Sequence, residues 1–223
     1  MSWRELQTTA AHIVHVERAA DIETEQLQSR FGYHPLDVEA LLRVPVESSF
    51  STYGDYGFLS LLWPDRETNA ASDIRLFINH RLLVIVGDTN DQRVHQMMTM
   101  LDNSDDQTMQ QARPIELVHH LVHQLLDMVP TDRGDKIAAH RLTSAALAIR
   151  QFGRWLQDHD RAQEVPLMVV CAHHIDIATD RLRSLPVAER LNTNIQFPRL
   201  LRTYAVVSAV IVVVVIVTMS LHS

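Results

Sequence analysis

Ile74–Val86 reads IRLFINHRLLVIV, two apolar runs either side of Asn79-His80-Arg81. Ile74–Ile78 and Leu82–Val86 each have strand length and β-branched content, and the polar triplet between them predicts a tight hairpin turn. Working outward, Gly57–Trp63 (GFLSLLW) reads as another strand and Ala11–Glu17 (AHIVHVE) as a short β-branched one. Between these lie helical signals. Asp21 starts an amphipathic stretch to Phe31, ended by Gly32. Pro35 then opens a second short helix through Leu42, since Pro in a first turn forfeits no hydrogen bond. Downstream, Gln92–Leu101 is helical in pattern and Asp102–Gln111 is a polar loop. Strands alternating with helices predict an α/β domain with a mostly buried sheet over residues 1–105.

After that segment the period becomes helical. Val118, Leu121, Val122, Leu125, Leu126 and Val129 form one stripe behind Pro114. A second comprises Leu142, Ala145, Ala146, Ile149, Phe152 and Leu156. A third comprises Met168, Ala172, Ile175, Ala178, Leu182 and Leu185, bounded by Pro166 and Pro186. Residues 106–198 are therefore expected to form a helical, stalk-like section.

The mean hydropathy of −0.06 over 223 residues averages two unlike parts. Residues 1–198 hold 18 Lys+Arg against 27 Asp+Glu, whereas residues 199–223 carry only Arg199 and Arg202. Thr203–Leu221 is nineteen residues without a charge, eight of them Val. As a helix it spans roughly 28 Å, about the thickness of a bilayer's hydrocarbon core. In lipid the backbone must satisfy its own hydrogen bonds, so residues 199–223 are expected to form a transmembrane helix with a short tail. Arg199 and Arg202 precede the span, which places the N-terminal part in the cytoplasm by the positive-inside rule. Met1–Ala20 has no continuous apolar core segment of a secretory signal. The single cysteine, Cys171, cannot form an internal disulfide, which suits a reducing compartment. The acidic balance, without a basic patch, argues against nucleic acid as a partner.

Few residues have the pattern of a catalytic centre. There is no Gly-x-Ser-x-Gly, no phosphate loop ending in Lys-Ser or Lys-Thr, and one Lys, Lys136, in the chain. Six Gly in total leave no dinucleotide fingerprint. Asp105-Asp106 sits in a loop, where carboxylates are ordinarily solvated. The 13 histidines raise a metal reading. His119 and His123 share a helix face at the spacing zinc proteases use, but His120-Leu121-Val122 between them supplies no Glu base. Their position on the polar side of the stripe predicts a solvated face, and His173-His174-Ile175-Asp176 is a similarly weak signal. No enzyme is expected, and neither catalytic nor metal-ligating residues are assigned.

Most of the chain resembles the cytoplasmic part of CorA-type magnesium and divalent-cation transporters. The resemblance rests on His12–Glu17 (HIVHVE), the helix after it, and Phe31-Gly32-Tyr33-His34-Pro35-Leu36-Asp37-Val38-Glu39. It continues through Tyr53-Gly54-Asp55-Tyr56-Gly57-Phe58-Leu59, the Ile74–Val86 hairpin, the Pro114–Met128 helix and His173–Ala178. It implies a homo-oligomer, a pentamer in that family, anchored in the cell membrane, with Mg2+ as the transported or regulatory ion. Family members have two membrane helices joined by a Gly-Met-Asn loop; neither the loop nor the second helix occurs before Ser223. Beside Glu39, Ala40 takes the place of an acidic residue that serves a regulatory Mg2+ site. Glu47-Ser48-Ser49 replaces the family's Arg-Pro-Lys.

The resulting expectation is a single-pass CorA-like membrane protein associated with Mg2+ or divalent metal ion transport, in a truncated, degenerate or accessory form. The alternatives are a transport-competent homo-oligomeric channel subunit and a membrane-anchored enzyme using a histidine-bound metal. Against the channel, a Val-lined passage gives a hydrated divalent ion no oxygen ligands.

Overall fold

The hairpin at residues 74–86 forms as expected, and it lies at the centre of a larger sheet. In a computed structural model of the chain, the described residues are 3–18, 24–43, 45–64, 71–88, 98–99, 111–127, 129, 135–159 and 161–185. The strands are β1 (Trp3–Gln7), β2 (His12–Arg18), β3 (Ser49–Tyr53), β4 (Tyr56–Pro64), β5 (Ala71–Ile78) and β6 (Leu82–Asp88). Two short helices, α1 (Thr24–Phe31) and α2 (Pro35–Ala40), fall between β2 and β3. Three longer ones follow the sheet: α3 (Pro114–Asp127), α4 (Lys136–Asp158) and α5 (Val165–Ser184), the last entered through a 3₁₀ turn at Ala162–Glu164.

The sheet order is β1-β2-β6-β5-β4-β3. Only β2 and β6 run parallel, with His12 opposite Leu82 and Val16 opposite Val86; every other adjacent pair is antiparallel. At the β5–β6 turn the Asn79 side chain accepts from the Arg81 and Leu82 amides at 2.9 and 2.7 Å, which fixes the reversal. At the β3–β4 turn, Gly54 supplies the positive φ of +58° that a two-residue connection requires.

Alternate residues along each strand enter two separate cores, because side chains leave opposite faces of a pleated sheet. Ile13, Leu59, Leu61, Trp63, Ile74, Leu76, Ile78, Leu83 and Ile85 join one cluster with α3, α4 and α5. Val14, Val16, Phe58, Phe77, Val84 and Val86 face the other way, onto Leu27 of α1, Tyr33, and Val38 and Leu41 around α2. The domain is thus a three-layer α/β/α sandwich, and the sheet is buried on both faces as expected. All six residues of the Leu142–Leu156 stripe are fully buried. Trp63 closes the sheet against α3, its indole N–H donating to the Leu125 carbonyl at 2.8 Å.

The structure departs from the sequence expectations in three places. β1 and β3 were not expected; they are the two edge strands, which bury few side chains and so carry little hydrophobic pattern. α2 ends at Ala40, with Leu41 as its C-cap. Leu185, expected in the third stripe, is the extended C-cap of α5 at φ −72° and ψ 144°, the conformation that a residue before proline prefers. Of Gln92–Leu101, only Met98 and Thr99 are described, both helical. The expected boundary near 105, the Asp102–Gln110 part of the loop, Asp105-Asp106, and Thr203–Leu221 all lie outside the described residues. Among the described residues, no helix is long and apolar enough to cross a membrane.

Candidate metal centre

The His-Pro-Leu-Asp run that carries the family resemblance works as a structural joint. Gly32 ends α1 at φ +68°, its N–H donating to the Gln28 carbonyl at 2.9 Å. Tyr33 stacks on Phe77 with ring centroids 4.0 Å apart. His34 caps α2, its Nδ1 accepting from the Leu36 amide at 3.3 Å, while its ring stacks on Tyr53. Asp37 is buried and accepts from the Tyr56 hydroxyl at 2.8 Å and the Ser51 hydroxyl at 3.1 Å. Burial holds the Asp37 carboxyl above its ordinary range, partly offset by those two hydrogen bonds. Glu39 pairs with Arg43 on the surface, and the Ala40 carbonyl accepts from the Arg75 guanidinium. Glu47 faces His140 at 3.2 Å, and Ser48 is buried. The described structure gathers no set of acidic oxygens around Ala40.

The histidines form a different centre. His119 and His123 project from successive turns of α3, ring centroids 4.5 Å apart, toward α5. There Cys171, fully buried, brings its sulfur to the pair, so that ligand atoms of His119, His123 and Cys171 lie within 4.8 Å of one another. His174, one turn along α5, meets the His123 ring edge-on at 4.9 Å. The expected solvated face is only half exposed, because α5 packs over it; the α3 pattern alone carries no information about that partner helix. His120 points aside to Gln124 at 3.1 Å, and Asp176 pairs with Arg150. His173 is exposed.

Electrostatics at this centre favour neutral imidazoles at His119 and His123. Burial lowers the His119 pKa from its ordinary 6.5, reinforced by His123, His120 and His174. Burial likewise lowers that of His123, reinforced by His174 and His120 and opposed by Asp127. Burial also pushes the Cys171 thiol up to about 12. A pocket of about 340 Å³ opens beside the group, lined by His123, Leu126, Asp127, His174, Ile177 and Arg181. Neutral imidazole, and a cysteine sulfur once it has lost its proton, are donors for transition metals. From the sequence, Cys171 was notable only as a free thiol. The usable signal was Cys171-x-x-His174 opposite His119-x-x-x-His123, two helical spacings that each put their donors on one face.

No family model matches the chain, and no curated protein does. Solved structures resemble it at low identity. The cytoplasmic domain of ZntB from Vibrio parahaemolyticus RIMD 2210633 aligns with a TM-score of 0.54 at 12% identity, covering 78% of this chain and 84% of that one. The full-length CmaX protein gives 0.48 at 12% identity, over 90% of this chain and 72% of its own. The soluble domain of CorA from Methanocaldococcus jannaschii gives 0.47 at 11% identity, over 79% and 89%. The domain therefore shares its fold with the cytoplasmic domain of ZntB, a likeness of fold that supports the resemblance noted from the sequence.

Proposed function

We propose that the chain is a CorA-like membrane protein serving divalent metal ion transport, with the α/β/α domain in the cytoplasm and Thr203–Leu221 as its membrane span. The observation that carries this reading is the ZntB-like fold, found in a chain that also contains a nineteen-residue uncharged segment preceded by Arg199 and Arg202. In this reading the domain is a regulatory and assembly module without catalysis, and the protein assembles as a homo-oligomer. Mg2+ is the reference ion, taken from the family resemblance. With no acidic residue beside Glu39, any regulatory Mg2+ would have to bind elsewhere than at that position.

Two measurements test the proposal together. The full chain, expressed in cells and fractionated, should sediment with membranes and resist alkaline extraction. Replacing Val212 and Val214 by Asp should release it, because two charges near the middle of a span each oppose insertion. Its expression should also change cellular uptake of Mg2+ or Co2+ in a transport-deficient host, an effect lost in the Asp variant. A chain that stays in the soluble fraction, or that leaves uptake of both ions unchanged, would refute the reading.

A further inference from the structure

The α3–α5 contact brings together side chains of a kind that packing alone rarely assembles. Two imidazoles one turn apart and a thiol from the facing helix converge on one spot, and a third imidazole, one turn beyond the thiol, meets the His123 ring edge-on. Among the described residues, no carboxylate, carbonyl or hydroxyl hydrogen-bonds to the ring nitrogens of His119 or His123. Metal–nitrogen and metal–sulfur bonds of about 2.0 and 2.3 Å put tetrahedral donors about 3–4 Å apart. The observed separations, up to 4.8 Å, are within reach of side-chain rotation on helices that already face each other.

We infer that His119, His123 and Cys171 bind one borderline-soft divalent cation of the Zn2+ class, with His174 as the fourth ligand. The donor set disfavours Mg2+, which requires six hard oxygen ligands in octahedral geometry. On binding, the Cys171 thiol loses its proton to solvent and the sulfur takes the metal, so one proton is released per ion from this group. The ion would staple α3 to α5 across the core, and the pocket beside His123 and His174 provides its route in. The site therefore calls for a different ion from the Mg2+ of the transport reading, and it stands whether or not the chain transports anything.

The test uses the full chain purified in detergent, with Zn2+, Co2+ and Mg2+ as probes. Zn2+ should bind at one ion per chain and be retained against a thousandfold excess of Mg2+. Co2+ should give the intense visible bands of a tetrahedral site together with a sulfur-to-cobalt charge-transfer band. His119→Gln and His123→Gln should each weaken Zn2+ binding by at least about tenfold, a loss typical of disturbing a metal ligand set. Cys171→Ser should remove the charge-transfer band; because Cys171 is buried, its folding is checked by circular dichroism, and the wild-type Co2+ spectrum tests sulfur ligation independently. His80→Gln, in the exposed hairpin turn, should bind as the wild type does. Absence of stoichiometric Zn2+, displacement by Mg2+, an octahedral Co2+ spectrum, or equal binding by the His119→Gln/His123→Gln double variant would each overturn the assignment.

Discussion

The Tyr56 hydroxyl donates to the Asp37 carboxylate at 2.8 Å and, on its other side, accepts from the His34 amide at 2.7 Å. One side chain from the start of β4 thereby holds both the cap and the first turn of α2. Tyr56→Phe keeps the ring and its contacts with Tyr33 and Phe77 but removes both hydrogen bonds. The variant should lose about 1–2 kcal/mol in chemical denaturation, the usual range when buried polar partners are left unmade. An unchanged midpoint would show that water replaces the hydroxyl.

Alkaline titration provides a second test of the same region. Tyr33 is held above its ordinary pKa of 10.0, mainly by burial and then by Tyr56; burial likewise dominates the rise at Tyr56. The folded state keeps both phenols protonated where the unfolded chain would ionise them. This contribution to stability is complete below pH 10 and is lost as pH rises beyond it. Tyrosinate absorbance from these two residues should therefore appear with unfolding, and Tyr33→Phe should flatten the decline in stability. A decline of the same slope in Tyr33→Phe would assign it to other groups.

Arg75 is almost fully buried, on the strand face that meets α2. Its guanidinium donates to the Ala40 and Arg43 carbonyls at the C-terminal end of α2 and pairs with Asp73 at 2.6 Å. Arg75→Met should cost about 3–5 kcal/mol, because it removes one charge of a largely buried ion pair. Arg75→Lys should recover only part, since an ammonium cannot reproduce the planar fork. Full recovery by Lys in thermal unfolding would mean that charge alone matters there.

Glu164 is buried where the 3₁₀ turn meets α5, between Arg113 at 2.9 Å and Arg161 at 2.6 Å. Glu164→Gln should destabilise the domain by about 1–3 kcal/mol, less than a fully buried pair because Arg113 is partly solvated. The loss should shrink little in high salt, as befits a pair shielded from solvent. A loss abolished by salt would place the pair effectively at the surface.

The central strands and the three long helices were legible because each repeats apolar residues at one fixed period over many positions. Val118, Leu121 and Leu125, or Ile74, Leu76 and Ile78, announce their faces without help from the rest of the chain. The edge strands were not legible: Trp-Arg-Glu-Leu-Gln has one well-covered side at most, and Ser-Phe-Ser-Thr-Tyr only Phe50 packed against the main core. The candidate metal centre was half legible. His119 and His123 stood out at once, but Cys171 lies 48 positions beyond His123, and only the packing of α5 onto α3 brings it there. Arg75 was hidden for the same reason, since two of its partners are the Ala40 and Arg43 carbonyls, at and just past the end of α2.

The parallel pairing of β2 with β6 also sets an order of assembly. Strands β3 to β6 are a run of antiparallel neighbours that local chain reversal can bring together as they are made. Seating β2, however, joins His12 to Leu82 and closes a loop of about 70 residues, with α1 and α2 inside it. A ribosome extending this chain must therefore release β6 before its first strands can find their place. Until then the β1–β2 ribbon carries Ile13, Val14 and Val16 without a neighbouring strand to cover its inner edge. Even once β6 is in place, the sheet face that carries Ile13, Leu76 and Ile85 stays bare until the helices that cover it, α3 to α5, have been made in turn.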